Sequence, residues 1–246
     1  MLDDKVVLIT GAAHRIGATT ARMLHAQGMR LVLHYRGSRD AAHVLQEELN
    51  ARRPESVTLL QADLLAAAGL PKLIQDAAAQ WQRLDILINN ASTFYPTPVG
   101  TVTEQHWQDL LGTNLKAPFF LSQAAAPHLR KHHGCIVNIV DIHADRPLRE
   151  YPVYSIAKAG LVMLTKALAA ELGPEVRVNA VAPGAILWPE KEELDDVAKQ
   201  RIISRTFLKR QGHPEDIARA ALFLIRDAGY MSGQVLTVDG GRSLNM

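Results

Sequence analysis

The apolar positions of this chain fall into two interleaved rhythms. Short runs rich in Val, Ile and Leu occur at Lys5–Thr10, Arg30–His34, Ser56–Gln61, Leu84–Asn89, Cys135–Val140, Arg177–Val181 and Val235–Val238. Several are continuously apolar, the pattern of strands buried on both faces. Between them lie segments long enough for helices, among them Asp40–Arg52, Gly69–Gln82, Glu104–His132 and Tyr151–Leu172; Pro118 and Pro127 are expected to kink or divide the third. The β-α-β-α alternation predicts an α/β fold: a single-domain, Rossmann-type, doubly wound parallel sheet of about seven strands with helices on both faces. The rhythm breaks over Pro183–Phe207, where Pro-Gly leads into Ala-Ile-Leu-Trp-Pro and a charged helical stretch from Glu190. A segment around 185–207 at that point is expected to form a lid or pocket wall, the alternative being a packed surface excursion.

Composition narrows the setting. The chain has 246 residues, 48% of them apolar, which suffices for a sizeable core. A formal net charge of +2 does not point to nucleic acid, although it leaves room for a local cationic pocket. The one cysteine, Cys135, permits no internal disulfide and reads as a small buried residue on a strand, which favours a cytoplasmic setting. No apolar run approaches a membrane span, and the start Met-Leu-Asp-Asp-Lys lacks the features of a signal peptide.

Candidate chemistry begins after the first strand. Thr10-Gly11-Ala12-Ala13-His14-Arg15-Ile16-Gly17 precedes an alanine-rich helix: Gly11 permits a tight turn, Gly17 permits close packing, and the helix start offers N–H groups to a pyrophosphate. The second strand ends His34-Tyr35-Arg36-Gly37-Ser38 with no acidic residue to hold a ribose 2′-hydroxyl. Arg36, Ser38 and Arg15 instead suit a 2′-phosphate, so the expected cofactor is NADPH, the alternative being that Arg36 is a solvated surface residue. Asp63, followed by Leu64, stands where it could meet the adenine amino group or cap a helix. Asn89-Asn90-Ala91-Ser92 closes the fourth strand where backbone would pass the cofactor. In Tyr154-Ser155-Ile156-Ala157-Lys158 the spacing of four puts phenol and ammonium on one helix face, and the expectation is an ammonium that lowers the phenol pKa toward working pH, making Tyr154 an acid.

These motifs, with Asn114, Pro183-Gly184 and the closing Ser232-Gly233-Gln234 and Val238-Asp239-Gly240-Gly241, resemble the short-chain dehydrogenase/reductase family in order and over nearly the whole chain. The resemblance implies that Lys158 also binds the nicotinamide ribose, that Asn114 holds a water relay and that Pro183-Gly184 lies beside the nicotinamide. Two positions depart from the common pattern: Arg15 stands where a third glycine is usual, and Asp141 stands thirteen residues before the tyrosine where a serine is usual. A carboxylate there would repel developing negative charge, whereas a protonated carboxyl, its pKa raised by burial, could donate. Both departures, and the stretches Asn90–Pro98, His34-Tyr35-Arg36 and Val140-Asp141, are similar to pteridine reductases. That likeness implies a pterin held between the nicotinamide and Phe94, contacted by Arg15 and Ser92, with Asp141 and Tyr154 as proton donors. Phe94 taken alone reads as an ordinary core or lid aromatic. Trp188 could reach substrate from the lid, though it, Trp81 and Trp107 read first as packing residues. His128, His132 and His133 have no third ligand in pattern, so no metal is expected. Rival readings are a carbonyl reductase, for example of 3-oxoacyl thioesters, and a non-catalytic NADPH sensor. The expected partners are a small pterin or folate substrate and, by resemblance, three further copies in a homotetramer formed through the helices of 105–132 and 151–172, with neither nucleic acid nor membrane.

Overall fold

The computed structural model describes residues 2–188 and 195–245. Seven strands form one wholly parallel sheet: β1 (Val6–Ile9), β2 (Arg30–Tyr35), β3 (Val57–Gln61), β4 (Ile86–Asn89), β5 (Cys135–Ile139), β6 (Arg177–Pro183) and β7 (Val235–Val238), in the order β3-β2-β1-β4-β5-β6-β7. Among the described residues, eight α-helices connect or flank them: α1 (Arg15–Ala26), α2 (Arg39–Arg52), α3 (Leu70–Ala79), α4 (Glu104–Leu111), α5 (Ala117–Lys131), α6 (Pro152–Leu172), α7 (Asp196–Ser204) and α8 (Pro214–Arg226). The α/β, doubly wound class expected from the sequence is the one observed.

The continuous apolar runs follow from burial on two sides. In β1, Val6 and Leu8 join one core with α3, α5 and α6, while Val7 and Ile9 join the other with α1, α2 and α8. Successive side chains point to opposite faces, so each face needs its own apolar set. The chain reverses direction across the sheet between β1 and β4, and that switch point opens a crevice at the carboxyl ends of the strands.

Several expected boundaries move. The run 104–132 is two helices, but the break is a π-helical turn at Gly112–Lys116, before Pro118. Pro118 lies in the first turn of α5, where its missing N–H is harmless. Helix α5 runs through Pro127, whose exposed position leaves the unpaired carbonyl one turn earlier open to solvent. Against the expectation that no apolar stretch nears a membrane span, α6 is long and apolar enough by length and composition to qualify. Half of that stretch is buried in the protein, because α6 packs on β6 and also against α4, α5 and the π-helical turn. Trp107, expected to pack, is 39% exposed on α4. Of the expected lid, Ala185–Trp188 and α7 are described, Asp195 capping α7 by accepting from the Ala198 N–H at 2.7 Å. Residues 189–194, including the predicted helical start at Glu190, lie outside the described residues.

Candidate active site

The phosphate loop is held rigidly from beneath. Thr10 is buried at the end of β1, and its Oγ1 accepts the Asn90 and Ala91 N–H groups at 2.9 and 3.0 Å. Asn90 Nδ2 donates back to the Thr10 and Gly11 carbonyls at 2.9 and 3.0 Å. Gly11 has φ +62°, and a Cβ there would lie 2.9 Å from Ala91 Cα. A Cβ on Gly17 would overlap the Gly11 carbonyl oxygen and approach Asn90 Nδ2 to 2.8 Å. The first helical bond of α1 runs from Ala18 N–H to His14 O, so the N–H groups of Ile16 and Gly17 lie outside the helix's own ladder, as a pyrophosphate would require. Arg15 adopts φ +53°, a left-handed conformation that explains why glycine would otherwise be suited to this position. Its Nη2 donates to the Trp188 carbonyl at 3.0 Å, linking the loop to the segment after β6.

His34 sits under this loop. Its Nδ1 accepts the Gly11 N–H at 3.2 Å and its Nε2 lies 3.1 Å from the Ala62 carbonyl, so the neutral tautomer with a proton on Nε2 satisfies both. Burial, the largest influence, lowers its pKa. Tyr35 is buried beside it, Arg36 is exposed, and Ser38 precedes α2 without using its hydroxyl as a cap. These residues could hold a 2′-phosphate. Asp63 is exposed and accepts the Leu65 N–H at 3.0 Å in a local turn; it is not the helix cap that sequence left open, since Ala66 and Gly69 precede the helical segments that follow, while Leu64 is buried. The residues present thus fit a dinucleotide laid across the switch point.

On the other side of the crevice, α6 carries Tyr154 and Lys158, both buried. A chain of buried amides fixes this helix to the sheet: Asn89 Nδ2 donates to Asn138 Oδ1 at 2.8 Å, and Asn138 Nδ2 to Thr165 Oγ1 at 2.9 Å. The π-helical turn brings Asn114 inward, where it accepts from the Ser92 hydroxyl at 2.6 Å and donates to the Thr93 and Leu110 carbonyls at 3.0 and 2.9 Å.

The expected acidified phenol is not what this geometry produces. Lys158 Nζ donates to the Ile139 carbonyl at 3.0 Å and lies 5.6 Å from the Tyr154 ring centroid, whereas the Tyr154 hydroxyl donates to Asp141 Oδ2 at 2.8 Å. Burial raises the Tyr154 pKa well above its ordinary value, and the Asp141 charge and hydrogen bond raise it further; only Ser92 acts downward. Burial lowers Lys158 to about 8, with Asp141 opposing. The phenol is therefore held protonated, which suits a proton donor. Asp141 itself is half-buried, not enclosed, and its Oδ1 also accepts the His143 N–H at 2.8 Å.

Phe94 stacks on Tyr151 with ring centroids 4.5 Å apart and an interplanar angle of 14°, and meets Tyr154 edge-on at 4.8 Å. It is 39% exposed, so part of its surface remains open. Tyr151, Thr10 and the Asn138–Thr165 pair were not singled out from sequence. Only Tyr151 had a local signal, an aromatic ring one helical turn before Tyr154. Pro183 ends β6, and a Cβ on Gly184 would approach Asp239 Cα to 2.6 Å, so glycine allows β6 and the segment after β7 to close together.

A seven-stranded parallel sheet with this loop and this Tyr/Lys helix defines a nucleotide-dependent oxidoreductase class. A family model described as Enoyl-(Acyl carrier protein) reductase matches residues 11–243. A ketoacyl reductase of the granaticin polyketide synthase of Streptomyces violaceoruber is 37% identical, covering 97% of this chain and 96% of that protein. The 3-oxoacyl-(acyl-carrier-protein) reductase FabG of Staphylococcus epidermidis is 35% identical, covering 97% and 98%. Pteridine reductase 1 of Leishmania tarentolae is 34% identical, covering 97% and 96%. The chain belongs to the short-chain dehydrogenase/reductase family of NAD(P)-dependent oxidoreductases.

Proposed function

We propose that this chain is an NADPH-dependent pteridine reductase, acting on oxidised pterins or dihydropterins and on dihydrofolate. The observation that carries this reading is the 2.8 Å hydrogen bond from the Tyr154 hydroxyl to Asp141, a carboxyl where a carbonyl reductase of this family would be expected to use a neutral hydroxyl. Reduction of a heteroaromatic ring needs protons delivered to ring nitrogens: Tyr154 holds one, and Asp141 can supply a second once it has itself taken up a proton. NADPH would supply the hydride.

Each residue then has a defined task. Gly11, Ile16, Gly17, Asn90 and Ala91 shape the dinucleotide cradle, and Arg36, Ser38 and Arg15 favour the 2′-phosphate over a free hydroxyl. Lys158 binds the nicotinamide ribose and contributes positive charge beside the phenol. Tyr154, kept neutral by burial and by Asp141, retains a proton to give. Phe94 offers a ring face to the flat substrate, and Arg15, Ser92 and Trp188 meet its edge.

Carbonyl reduction of 3-oxoacyl thioesters is the second reading. It is favoured by two of the relatives named above, which are ketoacyl reductases at 37% and 35% identity. Asp141→Ser separates the two. On the pterin reading, turnover of dihydrobiopterin falls at least about tenfold while NADPH affinity, measured by fluorescence, is unchanged. Undiminished pterin turnover would remove the acid role of Asp141.

We further propose a cytoplasmic homotetramer. The helices expected to mediate it expose Trp107, Phe119, Ile156 and Met163, apolar side chains that a second copy would cover.

A further inference from the structure

A cavity of about 430 Å³ opens beside the catalytic carboxyl. Its lining includes Ile142 and His143, which follow Asp141 directly, and Leu148, which packs against the cluster that contains Tyr151 and Tyr154. Four arginines line it: Arg146, Arg149, Arg205 and Arg242. They come from two separated parts of the chain, and none of its described lining residues is acidic.

Close ion pairs do not neutralise these charges, and of the described carboxylates only the more distant Asp141 and Asp239 act on Arg242. Among the described residues, none of the four arginines makes an ion pair, although arginines elsewhere on the protein regularly do. A second cavity, of about 290 Å³ beside β7, makes the contrast clear: its Arg210 and Arg219 both pair with Asp216, at 3.8 and 3.2 Å. Arg242 is half-buried, and its burial lowers its pKa, with the Asp141 charge the largest opposing influence. A chain with a formal net charge of only +2 has therefore concentrated like charges in one concave place next to its proton donors. Like charges this close repel unless an anion joins them, and guanidinium is the group best matched to carboxylate and phosphate oxygens. The concavity favours a small-molecule anion over the flat surface of an acidic protein.

We propose that this basin is an anion subsite, which binds the carboxylate or phosphate group at the far end of a substrate whose ring lies at Asp141 and Tyr154. The inference rests on the pterin reading and deepens it: the preferred substrates are pterins with an anionic extension, and those with a neutral side chain bind less tightly.

The test uses the full chain and Arg146→Gln/Arg205→Gln, both exposed positions outside the proton-transfer site. Steady-state reduction is measured with dihydrofolate, whose tail carries two carboxylates, with a dihydropterin diphosphate, and with dihydrobiopterin, whose side chain is neutral. The variant should raise KM for at least one anionic substrate about 10- to 100-fold with kcat preserved, and for dihydrobiopterin by less than about threefold. The affected substrate identifies carboxylate or phosphate as the ligand. An equal rise for all three, or no rise for either anionic substrate, overturns the subsite. Titration calorimetry with p-aminobenzoyl-L-glutamate and with inorganic pyrophosphate reads the subsite without turnover. Binding of one of them by the parent chain and its loss in the variant are expected; no binding of either, or binding unchanged in the variant, overturns the proposal. Failure of the parent chain to reduce any of the pterins overturns the pterin reading instead, so the two failures are distinguishable.

Discussion

His34 should make the phosphate loop sensitive to acid. Its Nδ1 accepts the Gly11 N–H only while the ring is neutral, and protonation would set two donors against each other. Burial lowers its pKa in the folded chain, while the unfolded chain titrates near the ordinary histidine value of about 6.5. Below that value the unfolded state binds more protons than the folded one, so stability is full above about pH 6.5 and falls as pH decreases toward the lowered folded value. The slope for one such proton approaches about 1.4 kcal/mol per pH unit. Between pH 7 and 5.5 the loss can reach at most about 1 kcal/mol, or roughly 2–4 °C in Tm for a protein of this size. His34→Gln is the matched control, because its amide can still accept from Gly11 and donate to Ala62 but does not titrate. Thermal melts of both proteins across this range should show a shallower acid slope for the variant, by up to that amount. His25 and His132, which burial also lowers, are common to both proteins and cancel in the difference. Superimposable pH profiles would refute the clamp.

Other consequences are sharper at single sites. Gly17→Ala forces a methyl group against the Gly11 carbonyl and Asn90, so a loss of about 1–3 kcal/mol in denaturant unfolding, with weaker cofactor binding, should outweigh the gain in helix propensity of roughly 1 kcal/mol; a stabilised variant would contradict the close packing. Arg36→Ala should raise KM for NADPH about 10- to 100-fold and leave NADH nearly unchanged, whereas equal effects on both would show that Arg36 does not meet the 2′-phosphate. Asp141→Asn removes the charge that, after burial, most raises the Tyr154 pKa, so the phenol should ionise at lower pH in an ultraviolet difference titration; an unchanged or higher value would refute the coupling.

The positions of the strands, the two-faced core and the cradle glycines were legible because each is written locally, whereas the order of the strands across the sheet was not. Apolar runs encode strands buried on both sides, and Gly11 and Gly17 stand where backbone must approach backbone. Asp141 and Tyr154 were recognisable as site residues, but their direct pairing was not. The helical spacing of Tyr154 and Lys158 places both on one face without saying which group the hydroxyl meets, and the nearest partner proved to be the carboxyl thirteen residues back. The π-helical turn at Gly112–Lys116 was masked by the more obvious breaker Pro118. The arginine basin left only a general hint, since Arg146, Arg149, Arg205 and Arg242 become neighbours through the fold alone.

The most direct test of the proposed activity follows NADPH oxidation by the purified chain with dihydrobiopterin, dihydrofolate and an acetoacetyl thioester in parallel. Turnover of at least one pterin substrate, with the thioester reduced at least about 100-fold less efficiently, is the predicted result, because a site built to pair with a substrate's polar edge strongly rejects analogues lacking it. Turnover of the thioester alone would contradict it.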